Sequence, residues 1–325
     1  MAAIKIAASA HYVPEKKVTN DDLSQLMDTS DEWISSRTGI HQRHISCGEN
    51  TADLCTKVAQ ELLKKSRLTA DQLDLIIVAT MSPDCYTPAT AAIVQGNIQA
   101  VNAAAFDVSA ACSGFVYALT TAKAMMGLPS YQRVMVIGGE VLSKVIDWTD
   151  RTTAVLFGDG AAGVVLENSE TTSSKFLSED LETYGDLADR LQAGSTAPLQ
   201  KFPANSPHHF EAFKMNGRDV YTFATHKVPL SIETAVKRSG LELEQVDWFI
   251  LHQANSRIIS QIAKRLKQPL AKFPMNIAEY GNTSGASVPL LFDELAEAGQ
   301  IKAGQIIVLS GFGGGLTVGT QVIKY

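Results

Sequence analysis

The sequence predicts an α/β protein built from two similar halves, and an internal repeat is the main evidence. Residues 64–80, KKSRLTADQLDLIIVAT, align without a gap on residues 237–253, KRSGLELEQVDWFILHQ. Each copy has the pattern of a helix, a short acidic turn and a buried strand of continuous apolar residues. A looser second pair, residues 133–141 and 305–315, consists of strands that run into glycine. Repetition at half-chain spacing indicates a duplication.

The chain divides near residue 171, which gives predicted halves of residues 1–171 and 172–325. The polar stretches NSETTSSKFLSED and GSTAPLQKFPANSPHH indicate a connection and a surface loop. Because predicted strands alternate with predicted helices, we expect a largely parallel sheet in each half.

Composition narrows the class of protein. The chain has 325 residues and a net charge of −6, which does not favour nucleic-acid binding. Apolar runs fall short of the roughly 18 residues that a membrane helix needs. The apolar stretch at the N-terminus is too short and broken for a signal peptide. We therefore expect a cytoplasmic protein that binds neither nucleic acid nor membrane.

The cysteine pattern gives no reason to expect a metal site. The four cysteines form no CxxC pair, and no histidine cluster lies at zinc spacing. In a reducing cytosol they should be free thiols, and each could simply be a small buried hydrophobe. The four are Cys47, Cys55, Cys85 and Cys112.

Cys112 has the surroundings of a nucleophile. It lies in DVSAACSGFVYAL, residues 107–119, where a predicted strand gives way to a predicted helix. The first turn of a helix has unpaired N–H groups and partial positive charge, which favour a thiolate over a thiol. Its small neighbours should leave the sulfur reachable. Taken alone, the pattern fits a strand–turn–helix nucleophile and a core cysteine equally well.

Three later features could complete a site around this cysteine. His252 follows the predicted strand 248–251, at the strand end where α/β sheets collect ligands and catalytic groups. Asn282 follows Gly281 in a tight loop. The run SGFGGGLTVG, residues 310–319, offers bare backbone N–H groups of the kind that an oxyanion hole requires. A structural histidine and a turn asparagine are the ordinary alternatives.

One motif does not indicate a cofactor. GDGAAG, residues 158–163, matches GxGxxG but leads into the apolar run 164–166, a predicted strand. A dinucleotide site needs a helix after the glycines, so we expect no such site here.

Six motifs in order resemble those of the thiolase-fold condensing enzymes, most closely the β-ketoacyl-acyl-carrier-protein synthase III family. The resemblance implies a thiolase fold, in which two duplicated α/β halves form five layers in the order αβαβα. It also implies a homodimer that needs no cofactor beyond its substrates. The motifs are DTSDEWISSRTGI (28–40), AACSGF (110–115), FGDGAAG (157–163), HQAN (252–255), GNTSGAS (281–287) and FGGG (312–315).

The resemblance implies a Cys–His–Asn triad of Cys112, His252 and Asn282. Elongating synthases have a second histidine in place of the asparagine, and degradative thiolases have a late second cysteine. Here Cys112 is the last cysteine and His252 the last histidine, which disfavours both relatives. The implied oxyanion hole consists of the backbone N–H groups of Cys112 and Gly314.

The implied reaction is a decarboxylating condensation that initiates fatty-acid synthesis. Cys112 attacks an acyl-CoA primer, either acetyl-CoA or a short branched acyl-CoA, and CoA leaves. Malonyl-acyl-carrier protein then loses CO₂, and its carbanion attacks the acyl-cysteine to give 3-oxoacyl-carrier protein. His252 and Asn282 stabilise the enolate oxygen by hydrogen bonds.

The first motif bears on CoA binding. Thr29 and Glu32 have the spacing of a capping box, which predicts a helix start. Trp33 and Arg37 are four residues apart and therefore share a face, where Trp could stack on adenine and Arg could pair with phosphate. By resemblance, the CoA channel is lined by Thr29, Trp33, Arg37, Arg151 and Asn255.

The helix after His252 is a candidate docking site for the carrier protein, because its basic side chains could bind an acidic partner. A solvated helix face is the ordinary alternative. A basic residue of some family members is replaced here by Thr222. The predicted carrier-contacting residues are Gln253, Ala254, Asn255, Ser256, Arg257, Lys264 and Arg265.

The primer pocket is predicted from the segment SPDCYTP, residues 82–88, and from Phe312. In the family this segment reaches the acyl pocket of the partner subunit. Thr87 stands where some members have phenylalanine, although Tyr86 could occupy that place instead. A smaller side chain there would admit a longer or branched primer.

Three other functions remain open at the level of sequence. The first is a hydroxymethylglutaryl-CoA synthase or a ketosynthase of secondary metabolism, which would differ in carrier dependence. The second is a cysteine hydrolase of the papain type, whose local cysteine signature is absent. The third is a non-catalytic descendant that only binds CoA or carrier protein.

Overall fold

A computed structural model describes residues 3–169, 174–194 and 211–325. The strands are β1 (Ala3–Tyr12), β2 (Lys17–Thr19), β3 (Gln42–His44), β4 (Leu75–Ala79), β5 (Ala104–Val108), β6 (Arg133–Glu140), β7 (Gly160–Ser169), β8 (Lys175–Thr183), β9 (Leu191–Gln192), β10 (Lys214–Met215), β11 (Trp248–Leu251), β12 (Ile306–Gly313) and β13 (Thr317–Lys324). The helices are α1 (Asn20–Ser24), α2 (Asp31–Thr38), α3 (Thr51–Ser66), α4 (Thr90–Asn97), α5 (Gly114–Met125), α6 (Gly217–Arg238), α7 (Ser256–Arg265), α8 (Ile277–Tyr280) and α9 (Ser287–Glu297).

Two mixed sheets organise the chain. Their strand orders are β1-β7-β6-β4-β5 and β11-β12-β13-β8. Strand β4 is parallel to β5 and β6, and β11 is parallel to β12, but β7 and β13 are antiparallel to both of their neighbours. The prediction of largely parallel sheets is therefore wrong. Strands β12 and β13 are joined by the short turn 314–316, and a turn of that length can connect only antiparallel neighbours.

The internal repeat corresponds to equivalent structure in the two sheets. Residues 64–80 form the end of α3, a short 3₁₀ turn and β4, whereas residues 237–253 contain the end of α6, a 3₁₀ turn and β11. The second pair of segments forms β6 and β12, each parallel to the repeat's strand. The predicted boundary near residue 171 and much of the predicted surface loop lie outside the described residues.

Helices α5 and α9 lie between the two sheets and form the central layer. One apolar cluster joins Phe115 and Leu119 of α5 and Phe292 of α9 to Ile77 of β4 and Leu309 of β12. On the outer faces, α3 packs against the first sheet, and α6 packs against the second with α7 beside it. The five-layered αβαβα arrangement of the thiolase fold is confirmed.

A close contact joins β6 of the first sheet to the turn Ser284–Ala286 before α9. A Cβ atom at Gly138 would lie 2.2 Å from the carbonyl oxygen of Gly285. The Cβ atom would be attached directly to the backbone of β6, and the oxygen belongs to the backbone of the turn. Neither can therefore move aside without displacing the strand or the turn. The glycine therefore allows the loop that carries Asn282 to pack on β6.

Substituting Gly138→Ala should destabilise the protein by roughly 1–3 kcal/mol, the usual cost of overpacking a core. Thermal unfolding followed by circular dichroism measures the effect. Gly96→Ala is the matched control, because a Cβ atom there meets nothing within 4 Å. Equal melting temperatures for the two variants would contradict the close contact.

Among the described residues, no helix has both the length and the apolar character that crossing a membrane requires.

Candidate active site

Cys112 lies in a 3₁₀ turn, Ala111–Ser113, between β5 and α5. The predicted strand–turn–helix arrangement is therefore confirmed. Strand β12 passes directly behind the turn: a Cβ atom at Gly313 would lie 2.8 Å from Cys112 Cβ and 3.0 Å from Sγ. A Cβ atom at Gly311 would lie 2.8 Å from the carbonyl oxygen of Cys112. The glycines of β12 thus allow the second half to close over the cysteine of the first.

The sulfur is much less open than its small neighbours predict. Cys112 is only 6% exposed, because β12 and the turn Ser284–Ala286 cover it. Burial raises the pKa of the thiol to about 12, although the Ser284 hydroxyl opposes the shift. The predicted preference for thiolate is therefore wrong for the unliganded site, since desolvation outweighs the helix N-terminus.

Cys112, His252 and Asn282 meet at one cavity of about 210 Å³. Cys112 comes from the turn before α5 in the first half of the chain. His252 follows β11 and Asn282 follows α8, both in the second half, so the site contains residues of both halves. The remaining lining is largely apolar. It consists of Thr152, Leu156, Phe157, Leu191, Phe213, Met215, Gly217, Val220, Tyr221, Ala254, Asn255, Ile258, Phe312 and Gly313.

The His252 ring is held by a hydroxyl and an aromatic ring. Its Nδ1 lies 2.6 Å from Ser287 Oγ, and the Phe312 ring packs edge-on with centroids 5.0 Å apart. Burial lowers the pKa of His252 to about 3. The imidazole is therefore neutral near pH 7, with one N–H donor and one bare nitrogen.

Asn282 is fixed by backbone and side-chain hydrogen bonds. Its N–H donates to Leu156 O at 2.9 Å, and its carbonyl accepts from Gly158 N at 3.1 Å. Its Oδ1 accepts from Ser284 N at 2.8 Å. Because the side-chain oxygen is occupied, the amide NH₂ is the group that can donate to a ligand.

Trp33 contacts two arginines, of which the spacing of the first motif predicts only Arg37. The guanidinium carbon of Arg37 lies 4.7 Å from the indole centroid, and that of Arg151 lies 5.4 Å from it. Asn255 Nδ2 donates to Arg37 O at 3.0 Å, and Asn255 also lines the cavity. Trp33, Arg37, Arg151 and Asn255 therefore contact one another as one wall, and Asn255 connects this wall to the cavity.

The helix carrying Trp33 begins one residue later than predicted. Its N-cap is Ser30, whose Oγ accepts from Trp33 N at 3.1 Å. The predicted capping box of Thr29 and Glu32 is therefore wrong. Thr29 Oγ1 is buried and has no hydrogen-bond partner among the described residues.

The predicted carrier-contacting residues are not all at the surface. Arg257, Lys264 and Arg265 are exposed on α7. Gln253 is 1% exposed, and its Nε2 donates to Leu251 O at 2.8 Å. Its assignment as a direct carrier contact is therefore wrong, because its amide is used to hold the end of β11. Ser256 is partly buried, as are the cavity-lining Ala254 and Asn255.

The predicted primer residues lie in different places within one chain. Phe312 lines the cavity and contacts His252. Thr87 is exposed outside it, and the neighbouring Tyr86 is 81% exposed. Residues 85–88 are therefore exposed at the surface of the chain that carries them, whereas Ser82 at the start of the segment is buried.

The glycine motif at residues 158–163 leads directly into β7. Its Asp159 is buried and accepts from Ser46 N at 2.7 Å and from Ser143 Oγ at 2.6 Å. Four of its six residues thus belong to β7 itself, and the motif has a structural role at the start of that strand.

Comparisons with known proteins agree with this geometry. Models of the 3-oxoacyl-[acyl-carrier-protein] synthase III family match residues 106–185 and, for the C-terminal part, 236–325. The beta-ketoacyl-[acyl-carrier-protein] synthase III of Limosilactobacillus reuteri is 56% identical over the whole of both chains. That of Latilactobacillus sakei is 54% identical over 99% of this chain and 100% of its own.

The chain belongs to the β-ketoacyl-acyl-carrier-protein synthase III family. The crystal structure of the 3-oxoacyl-[acyl-carrier-protein] synthase III from Aquifex aeolicus matches with a TM-score of 0.92 and 39% identity, covering 99% of this chain and 100% of that one. The structure from Thermus thermophilus matches with a TM-score of 0.91 and 39% identity, covering 98% of each chain. Membership confirms the predicted enzyme class, an acyltransferase of the initiating condensation in fatty-acid synthesis.

Three polar residues of this family member's site were missed by sequence reasoning. Ser287 contacts His252, and Ser284 and Glu140 lie behind Cys112. Both serines fall within the motif GNTSGAS. Glu140 ends the strand RVMVIGGE, in which residues 134–139 carry no polar side chain, and a carboxylate after such a buried run is a signal that could have found it.

Proposed function

We propose that this chain condenses an acyl-CoA primer with malonyl-acyl-carrier protein through an acyl-cysteine on Cys112. The convergence of Cys112, His252 and Asn282 on one cavity is the observation that carries this proposal. Membership of the synthase III family disfavours papain-type hydrolysis. The presence of all three side chains, Cys112, His252 and Asn282, disfavours a role in binding alone. The reaction requires only its two substrates, the acyl-CoA primer and malonyl-acyl-carrier protein, and no metal or cofactor.

In the acylation step, Cys112 attacks the primer's thioester carbon and CoA leaves. The N–H groups of Cys112 and Gly314 hold the oxyanion. Proximity supports this assignment, since the position of a Gly313 Cβ atom lies 3.3 Å from Cys112 N. The backbone just before Gly314 therefore adjoins the Cys112 amide.

In the condensation step, malonyl-carrier protein loses CO₂ and the carbanion attacks the acyl-cysteine. His252 and Asn282 donate hydrogen bonds to the enolate oxygen. For His252 to donate from Nε2, Ser287 must donate to Nδ1, which the distance of 2.6 Å allows. The carbonyl of Ser284, 2.9 Å from the same hydroxyl, is the competing acceptor. Decarboxylation supplies the carbanion, so a strong base is unnecessary.

The wall of Trp33, Arg37, Arg151 and Asn255, together with Thr29, binds CoA. An adenine ring stacks on Trp33 in place of a guanidinium, and the arginines then pair with phosphates. Exposed Arg257, Lys264 and Arg265 on α7 dock the carrier protein by charge.

Substituting Arg151→Ala should raise the KM for acetyl-CoA about tenfold, which corresponds to roughly 1.4 kcal/mol of lost phosphate binding. The kcat at saturating primer should change little, because the guanidinium does not reach the reacting atoms. Arg133→Ala is the control. Arg133 is the first residue of β6, pairs with Glu167 and is not part of the wall. Equal KM values for the two variants would refute the CoA assignment.

The protein acts as a homodimer in which segment 82–88 of each chain borders the partner's acyl pocket. The strong exposure of Tyr86 supports a contact of this kind. Thr87, being smaller than phenylalanine, widens the pocket for branched primers, with Phe312 as its wall. The cytoplasmic location expected from the sequence remains a prediction.

The proposed function is tested by the purified protein with acetyl-CoA or isobutyryl-CoA and malonyl-carrier protein. We expect 3-oxoacyl-carrier protein, CoA and CO₂ in equal amounts, with turnover of both primers. No product with either primer would contradict the condensation. Product from acetyl-CoA alone would refute only the widened pocket.

A further inference from the structure

Arg43 of β3 is a fully buried arginine whose partners are all neutral. Its side chain is 0% exposed, and among the described residues its guanidinium donates only to backbone carbonyls and to a side-chain amide. Burial lowers the pKa of Arg43 to about 10, so the group stays charged near pH 7. Burying a charge costs free energy unless it is well hydrogen-bonded. The oxygens that it binds therefore indicate what this side chain does.

One side of the guanidinium binds Asn20, the buried first residue of α1. Nη1 of Arg43 donates to Asn20 Oδ1 at 2.8 Å. The amide nitrogen of Asn20 donates in turn to Asp31 Oδ1 at 2.8 Å and to Ile40 O at 2.7 Å. Asp31 is the first residue of α2, and Ile40 follows the C-cap of that helix. Asn20 therefore holds both ends of the helix that contributes to the CoA wall.

The other side of the guanidinium binds the segment 152–157, which contributes three side chains to the cavity lining. Nη2 donates to Val155 O at 2.6 Å. The carbonyl of the next residue, Leu156, accepts from Asn282 N at 2.9 Å, and Gly158 N donates to Asn282 O at 3.1 Å. Arg43 thus holds the segment to which the backbone of Asn282 is bonded.

The stem of Arg43 packs against two glycines beside this contact. A Cβ atom at Gly158 would lie 3.1 Å from Arg43 Cβ, and one at Gly281 would lie 3.3 Å from it. The Cβ atom at Gly158 would also lie 2.2 Å from the carbonyl oxygen of Tyr280. Neither position has room for a side chain, so the stem lies directly against the loop that leads to Asn282.

We propose that Arg43 is a positioning residue that connects the CoA-binding helix α2 to the loop that carries Asn282. Its guanidinium is a bridge: Nη1 holds α2 through Asn20, and Nη2 holds the backbone partner of Asn282 through Val155. The bridge, which rests on the proposed roles of the CoA wall and Asn282, touches neither the substrates nor the reacting atoms. It fixes where CoA binds relative to the amide that donates during condensation. A misplacement of about 1 Å in such a site can slow a reaction by about 10².

The residue types at both positions fit a bridge. A guanidinium is planar and presents donors in fixed directions, whereas an ammonium is a single charge on a flexible stem. The amide of Asn20 can accept from Arg43 and donate to α2 at the same time. An ionised carboxylate in its place would still accept from the guanidinium but has no donor for Asp31 or Ile40. The neutral partner of this buried charge is therefore the one that extends the bridge to α2.

Two substitutions separate the two sides of the bridge. Asn20→Asp keeps the acceptor for Arg43 and removes both donors to α2. The dissociation constant of CoA, measured by titration calorimetry, should rise about tenfold, and CO₂ release at saturating substrates should stay within about twofold of wild type. Arg43→Met keeps a stem and removes every donor. It should weaken CoA binding at least as much and also slow CO₂ release from malonyl-carrier protein by roughly 10–10².

Hydrogen exchange followed by mass spectrometry reports on the loop without any activity. The peptide that contains the amide of Asn282 should exchange about tenfold faster in Arg43→Met and at the wild-type rate in Asn20→Asp. Ser231→Ala is the control for general destabilisation. Its buried hydroxyl lies 2.9 Å from Thr320 Oγ1, between α6 and β13. Its loss should change neither CoA binding nor CO₂ release, even if the melting temperature falls.

Wild-type CoA binding or wild-type CO₂ release in Arg43→Met would overturn the bridge, as would defects of the same size in Ser231→Ala. If Arg43→Met does not fold, Arg43→Lys replaces it and should show both defects, because one nitrogen cannot replace the two-sided fork. Wild-type protein that binds CoA but forms no 3-oxoacyl-carrier protein would refute the proposed function. In that case CoA binding and amide exchange in the same variants still decide the bridge.

Discussion

Substituting Cys112→Ala is expected to abolish the condensation, lowering its rate by a factor on the order of 10⁴ or more, as removal of a catalytic nucleophile does. No other thiol is available to the primer, because Cys55 is fully buried on α3 and Cys47 and Cys85 lie outside the cavity. Formation of 3-oxoacyl-carrier protein, separated by mass, measures the loss. Release of CO₂ from malonyl-carrier protein should survive, because His252 and Asn282 are untouched.

The paired variants Cys47→Ala and Cys85→Ala are the controls for this substitution. Each removes an exposed thiol and should leave condensation at the wild-type rate. Activity that persists in Cys112→Ala and disappears in either control would place the nucleophile elsewhere.

Substituting Asn282→Ala should separate the two half-reactions. The amide NH₂ donates to the enolate oxygen only during condensation, so decarboxylation and condensation should slow by roughly 10²–10³, the typical cost of one lost donor. Acylation of Cys112 should continue. Rapid-quench measurement of acyl-enzyme formation and of CO₂ release reports the two steps separately.

Thermal unfolding is the necessary control for Asn282→Ala. The backbone of Asn282 keeps its bonds to Leu156 and Gly158, but the substitution removes the side-chain oxygen that accepts from Ser284 N. Equal slowing of acylation and condensation, with an unchanged melting temperature, would contradict the donor role.

The duplication and the strand-end position of His252 were predictable from local patterns, whereas the grouping of Cys112, His252 and Asn282 was implied only by the family resemblance. An apolar strand followed by a polar residue predicts a side chain at a strand end, and His252 directly after β11 follows that rule. Strand direction was not predictable in the same way. Strands β6 and β7 are linked by residues 141–159, a segment long enough for a parallel crossover but containing only a short 3₁₀ turn.

The electrostatic state of Cys112 could not be predicted from its neighbours in sequence. The elements that bury it, β12 and the turn Ser284–Ala286, come from the other half of the chain. Their desolvating effect raises the thiol pKa against the helix N-terminus. The same long-range packing brings Ser284 beside Glu140, although 144 positions separate them in the sequence.

The predicted start of α2 was wrong by one residue because two adjacent residues could each serve as its N-cap. Thr29 and Ser30 are adjacent, and both are good N-cap residues. The structure selects Ser30, which has extended backbone and caps Trp33 N. Sequence spacing alone cannot choose between neighbouring caps.

The most direct test of the central claim is the fate of the isolated acyl-enzyme. Wild-type protein is incubated with acetyl-CoA, freed of unbound primer, and mixed with malonyl-carrier protein while intact mass is followed. The account predicts one acetyl group on Cys112. This group should be transferred to the malonyl-derived carbanion, which gives one equivalent of 3-oxoacyl-carrier protein. Loss of the acetyl group as free acetate, with no condensed product, would contradict it and indicate a hydrolase.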